Sequence, residues 1–324
     1  MTTSETLPSV AALNLEFDAE RMAAEIRALR DEPWRRNRIV SSDGIGHEIM
    51  DDWKMFILRG PNGDVQRTDP GGAGLASHAD TSLLKRLPYH AKVLASIPAP
   101  LFSARLIGLG PGAKLHEHRD GKWGFRWGVM RLHIPVITNP GASLVVQGEE
   151  FHWDEGRTWY ADFDRPHYAQ NLGTERRIHL VVDCMPTPEL LALFPTEFKN
   201  RLPWTEVLFA RAEVPLPPDE LASFESRFPM PATFPEWSDE PVLDPEENLD
   251  AGVELSEGRL VLRVADKPLF GLVHVGSGEF QLEGWTAERS IHIDRSGPEP
   301  TVRFRIREGS TYQETVRPMA VSTV

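Results

Sequence analysis

Between Gly110 and Gly124 the sequence GPGAKLHEHRDGKWG sets His116, His118 and Asp120 two residues apart. Alternate side chains of an extended strand share a face, so the three would project together. An imidazole nitrogen and a carboxylate oxygen at this spacing, completed by one more histidine from a distant strand, make a two-histidine, one-carboxylate face suited to Fe(II). His167 is the candidate for that third position. It lies in WYADFDRPHYAQNLG, where Trp159 to Phe163 read as a strand and Asp164, Arg165 and Pro166 as the turn that delivers the histidine to its edge.

Two further segments carry charge where a barrel would be dry. VMRLHIPVIT places Arg131 and His133 on one strand face and Leu132, Ile134 and Val136 on the other. RRIHLVVD does the same with Arg177 and His179 against Ile178, Leu180 and Val182. Basic groups on an inward face are costly unless they meet an anion. An iron site that activates O2 needs a reducing co-substrate, and a dicarboxylate such as 2-oxoglutarate would present two carboxylates to such arginines and histidines.

With HRD at 118–120, MRLHIPV at 130–136, FDRPHYAQN at 163–171 and RRIHLVVD at 176–183, the chain resembles the aspartyl/asparaginyl β-hydroxylase family of Fe(II)/2-oxoglutarate-dependent dioxygenases, which includes bacterial proline hydroxylases. The resemblance spans roughly residues 100 to 185 well and the preceding region more loosely. It implies a double-stranded β-helix (jelly-roll, cupin-like) in which His118, Asp120 and His167 are the iron ligands and the catalytic centre. It implies that Arg177 grips the far carboxylate of 2-oxoglutarate, and that Arg131 and His133 line the site and meet a carboxylate of co-substrate or substrate. Some members that act on protein side chains have glycine at the acidic position; Asp120 is present here, so the full triad is expected. The cofactors implied are Fe(II), 2-oxoglutarate and O2, and the reaction is hydroxylation of a C–H bond of an amino acid, free or linked to a peptide or carrier, with succinate and CO2 released.

Arg126, Arg131 and Trp127 are the candidates for holding that substrate, Lys122 sharing the same Gly-rich stretch. Trp123, Phe125 and Trp159 read as core or pocket wall. Gly110, His116 and His118, followed by His167 and Asn171, also echo the cupin motifs, although Lys122 and Trp123 stand where a cupin glutamate is expected. A cupin-type metalloenzyme using His116, His118 and His167 without 2-oxoglutarate is therefore the second reading, with His116 otherwise a strand-edge or supporting residue. A non-catalytic binding protein is the third. His47, His78, His90, His152, His274 and His292 fall outside the pattern, and Cys184 reads as a small core residue.

These residues need a scaffold, and the composition permits one. The chain has 324 residues, 35 Lys and Arg against 48 Asp and Glu for a net charge of −13, 40% hydrophobic residues and a single cysteine. Acidity argues against nucleic acid or an anionic membrane as partner. One cysteine excludes an intrachain disulfide or a Cys-rich metal site. No leader-like start and no run of about 18 apolar residues is present, so a cytoplasmic location is expected.

The fold class expected is mainly β, with the double-stranded β-helix core, flanking helices and a small C-terminal antiparallel β module. Residues 1–100 read as a helical region packing on the core, with helices from Asp18 to Arg30, Asp80 to Leu87 and Tyr89 to Ile97. Residues 101–200 read as the catalytic core, closing with TPELLALFPTEFKNRL as helix broken at Pro195. Residues 201–248 read as a linker, because eight prolines crowd 213–245 and no Lys or Arg occurs between Arg227 and Arg259. Residues 249–324 read as the β module, offering a homodimer or carrier-protein contact.

Overall fold

In the computed structural model, residues 7–36, 38–40, 46–48 and 52–321 are described. The first six residues of the chain and the side chain of His47 lie outside them. Contacts divide the chain into two compact units: Met1–Gly71, His78–Gly124 and Val129–Trp204 form the first, and Gly72–Ser77, Phe125–Gly128 and Thr205–Val324 the second.

The first unit holds strands β1 (Val10–Glu16), β2 (Trp53–Pro61), β3 (Leu101–Leu109), β4 (Met130–Ile137), β5 (Ala142–Val146), β6 (Glu149–Phe151), β7 (Arg157–Ala161), β8 (His167–Asn171) and β9 (Arg177–Cys184). Helices α1 (Ala19–Ala28) and α2 (Pro88–Ala95) precede the core, and α3 (Pro188–Ala192) and α4 (Thr196–Arg201) follow it, separated at Pro195 as the sequence predicts. One sheet runs β1-β7-β4-β9-β3-β2 and the facing one β6-β5-β8, extended beyond β8 by bridges from Lys114 and His118 to Gln170 and His167. From β3 onward the chain passes repeatedly from one sheet to the other, and this alternation is a double-stranded β-helix.

The register carries the site. Arg131 of β4 lies opposite Asp183 of β9, and His133 opposite Val181. The odd positions of both strands thus share the face toward the second sheet, while Leu132, Ile134, Leu180 and Val182 pack on the other side and are fully buried. Between the sheets, Leu109, Leu115, Leu144, Val146, Trp153, Phe163 and Ala169 form one apolar cluster.

Residues 1–100 contribute more strand than helix. β2, the apolar run WKMFILRGP, pairs along β3. The first helix expected after Asp80 shrinks to a single 3-10 turn at Leu84–Arg86, because Pro88 opens a new helix at its first position. That helix is tied to α1 by Glu25, whose carboxylate accepts from the backbone N–H of Tyr89 (2.7 Å) and His90 (3.1 Å) and pairs with His90 Nδ1 (2.8 Å). Burial pushes the Glu25 pKa up, but the donors from Tyr89 and His90 outweigh it and hold the group below the usual carboxylate range. This contribution to stability is present above the unfolded-state pKa and lost as pH falls through the folded value. Glu25→Ala should cost about 1–2 kcal/mol at neutral pH, as loss of a helix cap does, with a smaller difference from wild type in acid, read from urea unfolding at several pH values.

The second unit begins near Thr205, so the segment expected to be a linker belongs to a folded body. Its strands are β10 (Ser226–Pro231), β11 (Asn248–Ser256), β12 (Arg259–Val264), β13 (Lys267–His274), β14 (Glu279–Leu282), β15 (Arg289–Asp294), β16 (Thr301–Glu308) and β17 (Thr311–Pro318), each antiparallel to the next. After β17 the chain returns to β10 through Ala320–Val321, nearly closing a barrel. Phe228, Met230, Phe234 and Leu243, from within the proline-rich stretch, are buried in its apolar core. Gln313 of β17 binds the backbone of Pro241 and Leu243, which holds the acidic segment on the sheet. Proline and acid content therefore marks the solvent side of this segment and not an absence of structure. Among the described residues no helix is long and apolar enough to cross a membrane.

Candidate metal centre

The two histidines that the sequence singles out meet through their backbones. His118 N–H donates to His167 O (3.0 Å) and His167 N–H to His118 O (2.9 Å), while Asp120 N–H donates to Phe163 O (2.9 Å). The stretch from His116 to Asp120 is irregular with isolated bridges, not the continuous strand expected, yet His118 and Asp120 still turn to one side. One donor atom from each of His118, Asp120 and His167 lies within 4.8 Å of the other two. His116 is exposed and outside this group.

Both rings are oriented by their far nitrogens. His118 Nδ1 bonds the carbonyl of His116 (3.0 Å) and His167 Nδ1 that of Arg165 (2.9 Å). A carbonyl only accepts, so each Nδ1 carries the proton and each Nε2 keeps a lone pair for a cation. Burial, the largest influence on His167, lowers its pKa and favours this neutral form, although the Arg165 carbonyl and Asp120 pull the other way. Asp120 Oδ1 lies 3.7 Å from His118 Nε2, and Asp120 Oδ2 receives Nη1 of Arg131. The donor set is two imidazole nitrogens and one carboxylate, which fits a divalent first-row metal such as iron.

Arg131 lies between two carboxylates. Besides Asp120, it donates through Nε to Asp183 Oδ1 (2.6 Å) and lies 4.5 Å from the Trp123 ring centre. Burial alone would lower its pKa, but Asp183 and Asp120 hold it above the usual value. Asp183, 1% exposed, also accepts from Ser103 Oγ (2.7 Å) and Arg105 Nη2 (2.7 Å). Sequence reasoning passed over Asp183, Ser103 and Arg105. The signal was available, because Asp183 is in phase with Arg177 and His179, and Ser103 and Arg105 are two apart in the apolar run LFSARLIGL.

Arg177 is the contrasting case. It is buried, it donates to His179 Nδ1 (2.8 Å), and among the described residues no carboxylate pairs with it. Burial pushes its pKa down to about 9, so it remains a cation at neutral pH. Asn171, bonded to Leu109 O (2.9 Å) and Glu175 O (2.8 Å), fixes the turn that leads into it. With Thr138, Ser143, Phe151, Trp153 and His179, Arg177 lines a small cavity between the two sheets of the first unit.

His133 completes this wall. Its Nδ1 lies 3.3 Å from His179 Nδ1, which already accepts from Arg177, so the proton between the rings belongs to His133. The Nε2 of His133 is thereby an acceptor, and it is buried without a partner among the described residues. Burial and the neighbouring arginines hold His133 well below its usual pKa, hence neutral. Trp153 stacks on Trp159 at 5.6 Å.

Of the remaining sequence candidates, Arg126 and Trp127 belong to the second unit. Arg126, half-exposed, pairs with Glu308 (2.9 Å), and Trp127 is buried. Lys122 is buried in a left-handed turn (φ 57°) two residues after Asp120, not solvated. Cys184 is a buried thiol whose pKa burial raises, as a core residue's would be.

The family described as Aspartyl/Asparaginyl beta-hydroxylase matches residues 16–186, and the chain belongs to it. Most of the matched residues lie in the first unit, which holds the double-stranded β-helix and the group of His118, Asp120 and His167. L-proline cis-4-hydroxylase of Rhizobium meliloti (strain 1021) is 24% identical over 186 residues, 57% of this chain and 61% of that protein. Ornithine lipid ester-linked acyl 2-hydroxylase of Rhizobium tropici is 27% identical over 181 residues, 55% of this chain and 57% of that protein. The chain thus spans about six tenths of the length of these curated relatives. Among solved structures, an oxidoreductase of the 2OG-Fe(II) oxygenase family from Burkholderia pseudomallei is 13% identical with a TM-score of 0.34, covering 52% of this chain and 80% of that one.

Proposed function

We propose that the first unit is an Fe(II)/2-oxoglutarate-dependent hydroxylase acting on a C–H bond of an amino acid, free or carried on a larger molecule. The observation that carries this reading is the pairing of two unlike features: a group of two histidines and one aspartate, and a buried cation, Arg177, with no acid paired to it among the described residues. The first suits a divalent metal and the second a carboxylate. Iron held by His118, Asp120 and His167, together with 2-oxoglutarate and O2, would supply the oxidising power for the hydroxylation.

The chain's own residues do the positioning. Arg177, beside Thr138, Ser143 and Trp153, would pair with the far carboxylate of 2-oxoglutarate. His133 presents an acceptor nitrogen toward the interior, and the aromatic wall of Trp153, Trp159 and Phe163 excludes water. Both curated relatives are named as hydroxylases, one of L-proline and one of an ester-linked acyl group of ornithine lipid, which supports the reaction class. The substrate roles of Arg126 and Trp127 rest on sequence position alone.

The test is anaerobic titration of metal-free protein with Fe(II) and 2-oxoglutarate, followed by succinate release on free proline and other amino acids in air. A visible charge-transfer band that needs both additions is expected, with succinate formed in the presence of substrate. Iron binding with no such band favours a cupin-type metalloenzyme, and no iron binding sinks the enzyme reading.

A further inference from the structure

Resting on the metal-site reading above, the structure assigns Asp183 as a positioning residue: acting through Arg131, it fixes the carboxylate of Asp120 for metal binding. The path is short and wholly within the first unit. Arg131 spends one edge of its guanidinium on Asp183, with Nε to Oδ1 at 2.6 Å and Nη2 to Oδ2 at 3.4 Å, and donates Nη1 to Asp120 Oδ2. This fork is planar, so fixing one edge fixes the direction of the remaining donor. Trp123 on the ring face, 4.5 Å from the guanidinium carbon, limits rotation out of that plane.

Asp183 is in turn immobile. It sits in β9 directly across from Arg131 in register, and Ser103 and Arg105 of β3 hold its Oδ2 from the other side. A carboxylate this deeply buried is a net expense to folding even when it is paired, and a core strand would be served as well by an apolar residue. Its presence is accounted for if it anchors a metal ligand, since carboxylates one step removed from the metal orient the groups that touch it. Asp120 is left with Oδ2 occupied and Oδ1 turned toward His118 Nε2.

The experiment measures Co(II) affinity and the Co(II) visible spectrum of full-length protein, with Asp183→Asn, Arg131→Gln, the double variant and Ser103→Ala. Asp183→Asn should weaken Co(II) binding about 10- to 100-fold and shift its visible bands, with the circular dichroism of the fold retained. If Asp183 acts through Arg131, the double variant binds no more weakly than Arg131→Gln alone. Additive losses, or an Asp183→Asn protein with wild-type affinity and spectrum, overturn the assignment. Should Asp183→Asn fail to fold, Ser103→Ala loosens Asp183 without removing its charge. A several-fold weakening with shifted bands is then expected, and an unchanged affinity and spectrum overturn the assignment. Wild-type protein that binds no Co(II) or Fe(II) overturns the metal reading and this role with it, whereas wild-type binding with indifferent variants overturns this role alone.

Discussion

Arg177→Met should severely weaken 2-oxoglutarate binding while leaving Fe(II) binding intact. The guanidinium is nearly enclosed, it donates to a neutral histidine, and burial has already drawn its pKa down to about 9. A buried cation without an acid is a cost that the fold carries until an anion arrives. Two results follow from that. Truncating one partner of a buried charge pair costs about 2–5 kcal/mol, so 2-oxoglutarate should bind roughly 30- to 5,000-fold more weakly, read from the anaerobic band or by calorimetry. The ligand-free variant should be at least as stable as wild type, because methionine removes an unpaired buried charge, and it should show no rise in melting temperature with added 2-oxoglutarate. Unaltered affinity in a folded variant would sink the role of Arg177 as the carboxylate grip.

Much of this chemistry was legible from alternation. In MRLHIPV and RRIHLVVD the apolar and basic residues separate at period two, and the structure sets these strands side by side with their basic faces inward. His118, Asp120 and His167 followed from residue type and spacing. Asp183 did not, because its meaning lies in partners some 80 residues away: Ser103 and Arg105, polar residues scattered in a strand whose other members are apolar. Period-two reading applied to β3 and to the last turn of β9 would have found both.

The β module at residues 249–324 was legible, but two parts of the second unit were hidden, for different reasons. Residues 226–231 have the alternation of a strand, Phe228 and Met230 inward, but the prolines between them imitate a linker. They are tolerated because β10 pairs with β11 along its length and with only the short Ala320–Val321 on its other side. The residues of β17, TYQETVRP, are mostly exposed and carry little apolar signal; pairing with β16 determines that strand. Phe125–Gly128 illustrates the limit of local reading further. Close in sequence to His118 and Asp120, the segment is claimed by the second unit, where Arg126 O accepts from Gly309 N–H (2.9 Å) and Phe125 O from Leu208 N–H (3.0 Å).

Asp120→Ala separates the aspartate triad from a three-histidine site by the largest margin. A site built from His116, His118 and His167 would keep its metal after this change. The structure gives His116 a different part: its side chain is exposed, and its backbone carbonyl holds the Nδ1 proton of His118. Removing Asp120 therefore deletes the anionic member of the group and leaves two imidazoles facing a cation. It also frees Nη1 of Arg131 beside the metal position, where its positive charge opposes metal binding. Both effects act in the same direction, so the loss of Fe(II) affinity should exceed the roughly 100-fold limit typical of residues one step removed from a metal. Asp120→Asn keeps an acceptor for Arg131 and loses only the ligand charge, so its affinity should fall between that of Asp120→Ala and wild type. His116→Ala should bind Fe(II) as wild type does, since a backbone carbonyl is all that His118 requires of that position. Titration of the three metal-free variants with Fe(II) in the absence of O2 gives the ranking, and retention of tight binding by Asp120→Ala together with its loss in His116→Ala would reverse the assignment of the third ligand.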